Sequence, residues 1–182
     1  PKSSLYDKVY KGVWNALTIR SLSIGQGEIL VTPLQLANMA AAIGNEGHYY
    51  PPHLIKSFDD GTPIDSNMTT KRVIDIKAKH FKDVKVGMCR VFEGNHGTAR
   101  FSKIDSIQVA GKTGTAENPH GDDHSLFMGF APADNPQIAI AVVVENAGFG
   151  SQWAAPIASL MIEKYLRGYI KDNRKEKRFI EP

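Results

Sequence analysis

The sequence predicts an α/β (α+β) fold, an antiparallel sheet flanked by helices. Three observations carry this. Strand-like stretches at residues 104–115, 124–132 and 137–145 follow one another with only short polar turns between them, the signature of an antiparallel meander. Helical periodicity precedes them at 34–43 and 75–92 and follows them at 153–169. The chain has 182 residues, 42% hydrophobic and 23% charged, which is enough for a sizeable core and excludes a disordered chain.

The balance of charge narrows the function classes. Against 22 Lys and Arg stand 19 Asp and Glu, a net charge of +3, too even to imply a nucleic-acid partner. No apolar run approaches the ~18 residues of a membrane helix, and no charged-then-apolar leader opens the chain. Cys89 is the single cysteine, so an internal disulfide is excluded and the redox compartment stays open. The chain starts at Pro1-Lys2-Ser3-Ser4 without an initiator Met. The expectation is a piece of a longer polypeptide.

Taken in order, Tyr6, Tyr10 and Trp14 fall four apart, as on a short helix packing against a core. Gly25 and Gly27 mark a turn or a close backbone approach, with Gln26 a candidate for a cleft rim. Thr32-Pro33 starts a helix, Thr32 as cap and Pro33 at the first position. Its apolar face is Leu36, Met39, Ala40 and Ile43, and Gly44 or Gly47 ends it. Residues 49–56 read as extended, and Asp59-Asp60-Gly61-Thr62-Pro63 as a surface turn. His48 and His53 have no neighbours to complete a metal set.

The helix at 75–92 carries Phe81, Val84, Met88 and Val91 on one face, with Cys89 beside it as a small buried hydrophobe. Residues 93–99 form a loop. The strand at 104–115 begins with apolar-polar alternation and ends in Gly111-Lys112-Thr113-Gly114-Thr115, Gly-rich and polar around one cation. Such a strand end suits an extended anionic ligand, because glycine lets backbone be approached closely. His120, Asp122, Asp123 and His124 are metal-ligand types, but a turn this tight rarely aims four side chains at one point, so neither a metal nor another cofactor is expected. The strand at 137–145 is almost continuously apolar, as if covered on both faces. The closing helix at 153–169 presents Ile157, Leu160, Met161 and Tyr165 as its core stripe, and the charged stretch 171–177 is expected to fray.

Lys112-Thr113-Gly114 is a K-T-G tripeptide, an element shared by penicillin-binding proteins and serine β-lactamases. Alone it is weak. With Thr115-Ala116, with 124–132 and 138–144 after it, and with the blocks 23–28, 31–38, 144–146 and 154–158, the chain resembles the transpeptidase domain of class B penicillin-binding proteins, in their elongation-specific branch. The resemblance covers nearly the whole chain except the tail. The family also uses an S-x-x-K nucleophile motif and an S-x-N motif. No Ser here has Lys three positions on, and none has Asn two positions on.

The resemblance therefore implies the C-terminal part of a transpeptidase domain at residues 1–170 with a charged tail at 171–182. It implies a penicillin-binding transpeptidase and serine β-lactamase-like sheet, incomplete at three of five strands, with apolar surface left exposed or covered by another fragment or a second copy. By family, the activity is peptidoglycan D,D-transpeptidation through a serine acyl-enzyme, the nucleophile lying upstream, so that this chain alone is inactive. Lys112 contributes charge, Thr115 a backbone N–H to the oxyanion, Thr113 its hydroxyl to the substrate carboxylate, and Gly114 room for the substrate strand; His124, which begins the neighbouring strand, reads as a histidine satisfied at a strand end before it reads as a neighbour of the site. Partners implied are peptidoglycan stem peptides, β-lactams and a SEDS-type glycosyltransferase of the elongation complex that sets cell shape. The place implied is the periplasmic face of the bacterial inner membrane, held by an upstream anchor. A serine β-lactamase, a β-lactam sensor domain and a non-catalytic module of the same fold remain as alternatives.

Overall fold

The computed structural model describes residues 15–27 and 30–180, and the chain divides after Val31 into two units. The first holds helix α1, Ala16–Ser23, which sequence periodicity did not reveal; its signal is the cap. The Asn15 side chain accepts from the backbone N–H groups of Leu17 and Thr18 at 2.9 and 3.3 Å. The chain then turns at Gly25 and Gly27, with φ of 81° and 90°. The aromatic spacing at Tyr6, Tyr10 and Trp14 lies outside the described residues.

The second unit opens with α2, Pro33–Gly44. Thr32 and Gln35 form a reciprocal capping box: Gln35 N–H donates to Thr32 Oγ1 at 3.3 Å, and Thr32 N–H to Gln35 Oε1 at 2.8 Å. Ala40 is fully buried as expected, but Met39 is 45% exposed, and Ala42 and Gly44 complete the buried face. A two-residue strand β1, His48–Tyr49, pairs antiparallel with β2, Arg72–Val73. Between them, the Asp59–Pro63 turn is tied by Thr62 N–H donating to Asp60 Oδ1 at 2.9 Å. A single helical turn, α3, spans Ser66–Thr69.

Helix α4, Ala78–Glu93, buries Phe81, Met88 and Phe92. Val84 is 46% exposed and does not belong to the buried stripe. The inward position is instead that of Lys85, at i+4 from Phe81. The Lys85 ammonium lies 3.1 Å from Glu46 and donates to the Gly44 carbonyl at 3.3 Å, tying α4 to the end of α2. The stem of Lys85 packs inward while its charge is satisfied, which a purely apolar template misses.

The main sheet has strands β3 (Ala110–Ala116), β4 (His124–Ala131) and β5 (Ile138–Val144), antiparallel, in the order β3-β4-β5. The meander is as expected, but the first strand begins at Ala110 rather than 104. Residues 104–107 are a tight turn closed by Ile107 N–H to Ile104 O at 3.3 Å, with Ser106 at φ 61°. The apolar alternation there comes from buried Ile104 and Val109 framing a turn. β5 is an outer strand among the described residues. Its expected double cover is only partial: Ile140 is buried, while Val143 is 36% exposed.

Two apolar clusters lie on opposite faces of the sheet. One gathers Phe92, Val109, Phe127 and Ile140 with Ala154, Ala155, Ala158 and Ile162 of helix α5, Ala154–Arg167. The other joins Ala110 and Phe130 to Ala40 of α2 and Met88 of α4. The stripe expected on α5 is thus displaced. Met161 and Tyr165 are 52% and 64% exposed, because small alanines let the helix approach the sheet and form the contact face instead. Residues expected to fray form α6, Asn173–Ile180, docked by Phe179 edge-on to Trp153 at 5.9 Å.

Candidate active site

β3 brings Lys112, Thr113, Gly114 and Thr115 together at the edge of the sheet that β4 does not occupy. The pleat sends Lys112 and Gly114 to one face and Thr113 and Thr115 to the other. Lys112 is exposed, and its Nζ donates to the Thr113 carbonyl at 2.6 Å. Thr113 is only 8% exposed and sits across from Phe127. Its Oγ1 lies 2.8 Å from Thr98 Oγ1 in the loop after α4. Gly114 faces Leu126, whose Cβ would stand 3.2 Å from a Cβ added at Gly114. Thr115 pairs with Ser125 and Ala116 with His124.

The loop between β5 and α5 clamps this strand from behind. A Cβ at Gly150 would stand 2.2 Å from Leu126 O and 2.4 Å from Gly114 O, so only glycine fits there. Fully buried Ser125 donates to Phe149 O at 3.0 Å and accepts from Ala154 N–H at 3.1 Å, fastening the same loop to β4 and to the start of α5. The sequence alone did not single out Thr98, Ser125 or Gly150. The close spacing of Gly148 and Gly150 was the available signal.

The β3–β4 turn is stitched to that loop as well. His124 Nδ1 accepts from Asn146 N–H at 3.1 Å, Asn118 Nδ2 donates to Asn146 Oδ1 at 2.7 Å, and the Asp123 carbonyl accepts from the N–H groups of Ala147 and Gly148. His124 thus begins β4, two residues before Leu126, the partner of Gly114, and its Nδ1 holds the loop. Among the described residues no three His, Cys, Asp or Glu gather as a metal set. Cys89 is half-buried against the second cluster, and burial pushes its thiol above its ordinary value, leaving it mostly protonated.

A family model described as the penicillin binding protein transpeptidase domain matches residues 6–163. The chain belongs to this family. The peptidoglycan D,D-transpeptidase MrdA of Haemophilus influenzae is 33% identical over 91% of this chain and 28% of its own length. Pseudomonas aeruginosa PBP2, solved in complex with WCK 5153, superposes with a TM-score of 0.80 at 38% identity, over 100% of this chain and 39% of that one. Penicillin-binding protein A of M. tuberculosis, solved as an imipenem acyl-enzyme complex, gives 0.69 at 31% identity over 81% of this chain and 33% of that one. The chain spans 25–33% of the length of curated relatives it matches.

Proposed function

We propose that the chain is the C-terminal part of the transpeptidase domain of a peptidoglycan D,D-transpeptidase, residues 1–170 with the charged extension 171–182. It would supply the Lys112-Thr113-Gly114 wall of a serine acyl-transfer site. The observation that carries this reading is the edge position of β3: a strand fixed from behind by Gly150 and Thr98, with Lys112 exposed and Gly114 bare at its rim. An extended stem peptide would add to that edge as a further strand.

In the reaction a serine upstream of this chain attacks the D-Ala-D-Ala bond, D-Ala leaves, and the acyl group passes to an amine of a neighbouring stem peptide. Covalent catalysis splits one hard step into two. Lys112 supplies positive charge, Thr113 its hydroxyl toward the substrate carboxylate, and Thr115 one backbone donor to the oxyanion. Losing one such donor costs about 10²–10³ in rate in comparable sites. β-Lactams acylate the same serine. Exposed apolar residues such as Val143 on β5 and Met39 on α2 mark where the rest of such a domain would pack. Among the described residues no helix is long and apolar enough to cross a membrane. The working place would be the periplasmic face of the inner membrane, through an anchor outside this sequence, beside a SEDS-type glycosyltransferase of the elongation complex.

The test is acylation of the longer protein by a fluorescent penicillin. Gly114→Val is expected to abolish labelling while thermal melting stays cooperative. Normal labelling would overturn the role given to this strand.

A further inference from the structure

A cavity of about 760 Å³ opens on the far side of the Thr98 loop, between the 3₁₀ turn Arg100–Ser102, helix α5 and helix α6. That volume falls within the range of roughly 300–1,000 Å³ typical of small-molecule sites. We propose that it binds an amphiphilic phosphate monoester, with the phosphate among its cations and the apolar body against Leu160 and Phe179.

The charge on its wall is one-sided. Arg100, Lys103, Lys175 and Arg178 line it, and the one acidic residue on the wall, Glu163, is held by Arg167 at 2.5 Å. Lys103 is paired with Glu93 at 2.7 Å, but Lys175 has no ion-pair partner among the described residues. Both guanidinium groups are oriented by rings: Arg178 stands 5.7 Å from the Trp153 centroid, and Arg100 stands 4.3 Å from that of Phe101. Planar forks held in place suit an oxyanion, and several cations on one wall favour a phosphate monoester, with its charge of about −1.5 to −2, over a singly charged carboxylate or halide.

The second observation is independent of charge. Ser159 lies on the cavity wall and is only 6% exposed, yet its hydroxyl has no hydrogen-bond partner. A serine inside a helix ordinarily turns back to bond the carbonyl one turn earlier. Buried hydroxyls left without a partner are rare and call for one. In the rotamer observed the Ser159 oxygen is closed off from the cavity; a turn about χ1 would bring the hydroxyl to a phosphate oxygen seated among the cations, to which it would donate.

The experiment is calorimetric titration of the full 182-residue chain with n-hexyl phosphate, with hexanol and inorganic phosphate as references. Binding is expected for hexyl phosphate, weaker binding for phosphate, and none for hexanol. Ser159→Ala should weaken binding about tenfold, the scale of a hydrogen bond to a charged group. Lys175→Gln should weaken it about threefold, as an exposed ion pair does. Neither side chain holds the fold, so both variants should melt as the parent does. Co-sedimentation with phosphatidylcholine vesicles containing phosphatidic acid, released by hexyl phosphate, would assign the natural ligand to a lipid headgroup; binding of hexyl phosphate without vesicle association would assign it to a soluble ester. No binding of hexyl phosphate at millimolar concentration, or binding that Ser159→Ala leaves unchanged, would overturn the proposal.

Discussion

The hydroxyls of Thr98 and Thr113 meet at 2.8 Å, and this bond joins the loop after α4 to the strand that carries Lys112 and Gly114. Thr113 is buried and Thr98 is exposed, so the partner can be removed without opening the core. Thr98→Val keeps the shape and leaves the Thr113 hydroxyl unpaired. The expected cost is about 1–3 kcal/mol in chemical denaturation, the penalty of an unsatisfied buried polar group. A loss below about 0.5 kcal/mol, the range of ordinary surface changes, would show that Thr113 does not depend on Thr98.

Gly150→Ala tests the clamp behind the strand. The added carbon would meet the backbone oxygens of Leu126 and Gly114, neither of which can swing away as a side chain does. Destabilisation of at least about 1–3 kcal/mol is expected, the usual cost of overpacking. Unchanged melting would mean the loop stands farther from β3 than described.

Phe127→Ala removes a ring that is 1% exposed and stands edge-on to Phe92 at 5.8 Å. The loss should be about 3–5 kcal/mol, a large part of the stability of a domain this size. Val84→Ala on the neighbouring helix should stay within about 0.5 kcal/mol, because Val84 faces solvent. Comparable losses at both positions would restore Val84 to the buried stripe.

These contrasts show what sequence carries and where it stops. The meander, the α2 start at Thr32-Pro33 and the Lys112-Thr113-Gly114 strand are local patterns, so period and capping chemistry reveal them. The faces of α4 and α5 are not local. Lys85 takes an inward position because Glu46 and the Gly44 carbonyl satisfy it, and Met161 yields to Ala158 because the helix approaches the sheet closely. Thr98, Ser125 and Gly150 matter through partners 15, 24 and 36 residues away along the chain or more distant still, which no windowed pattern reports.

The last prediction concerns the tether of the C-terminal segment. Lys171 lies 2.5 Å from Asp105 Oδ2, and the Arg167 guanidinium donates to the Asp105 carbonyl. The hydrogen bond from Lys171 holds the Asp105 carboxyl below its ordinary 3.8, and the same bond holds Lys171 above its ordinary 10.5. A depressed carboxylate contributes stability above its unfolded value and loses it as pH falls through the folded one; a raised ammonium contributes below its unfolded value and loses it as pH rises through the folded one. The pair should therefore act from about pH 4 to pH 10. Because both groups are exposed the effect is small and should fade with added salt. Melting the parent beside Asp105→Asn should give a difference that is constant at neutral pH and vanishes in acid below 3.8. A difference that does not shrink as the carboxyl is protonated in acid would show that Asp105 acts through the shape or neutral hydrogen bonding of its side chain rather than through its charge.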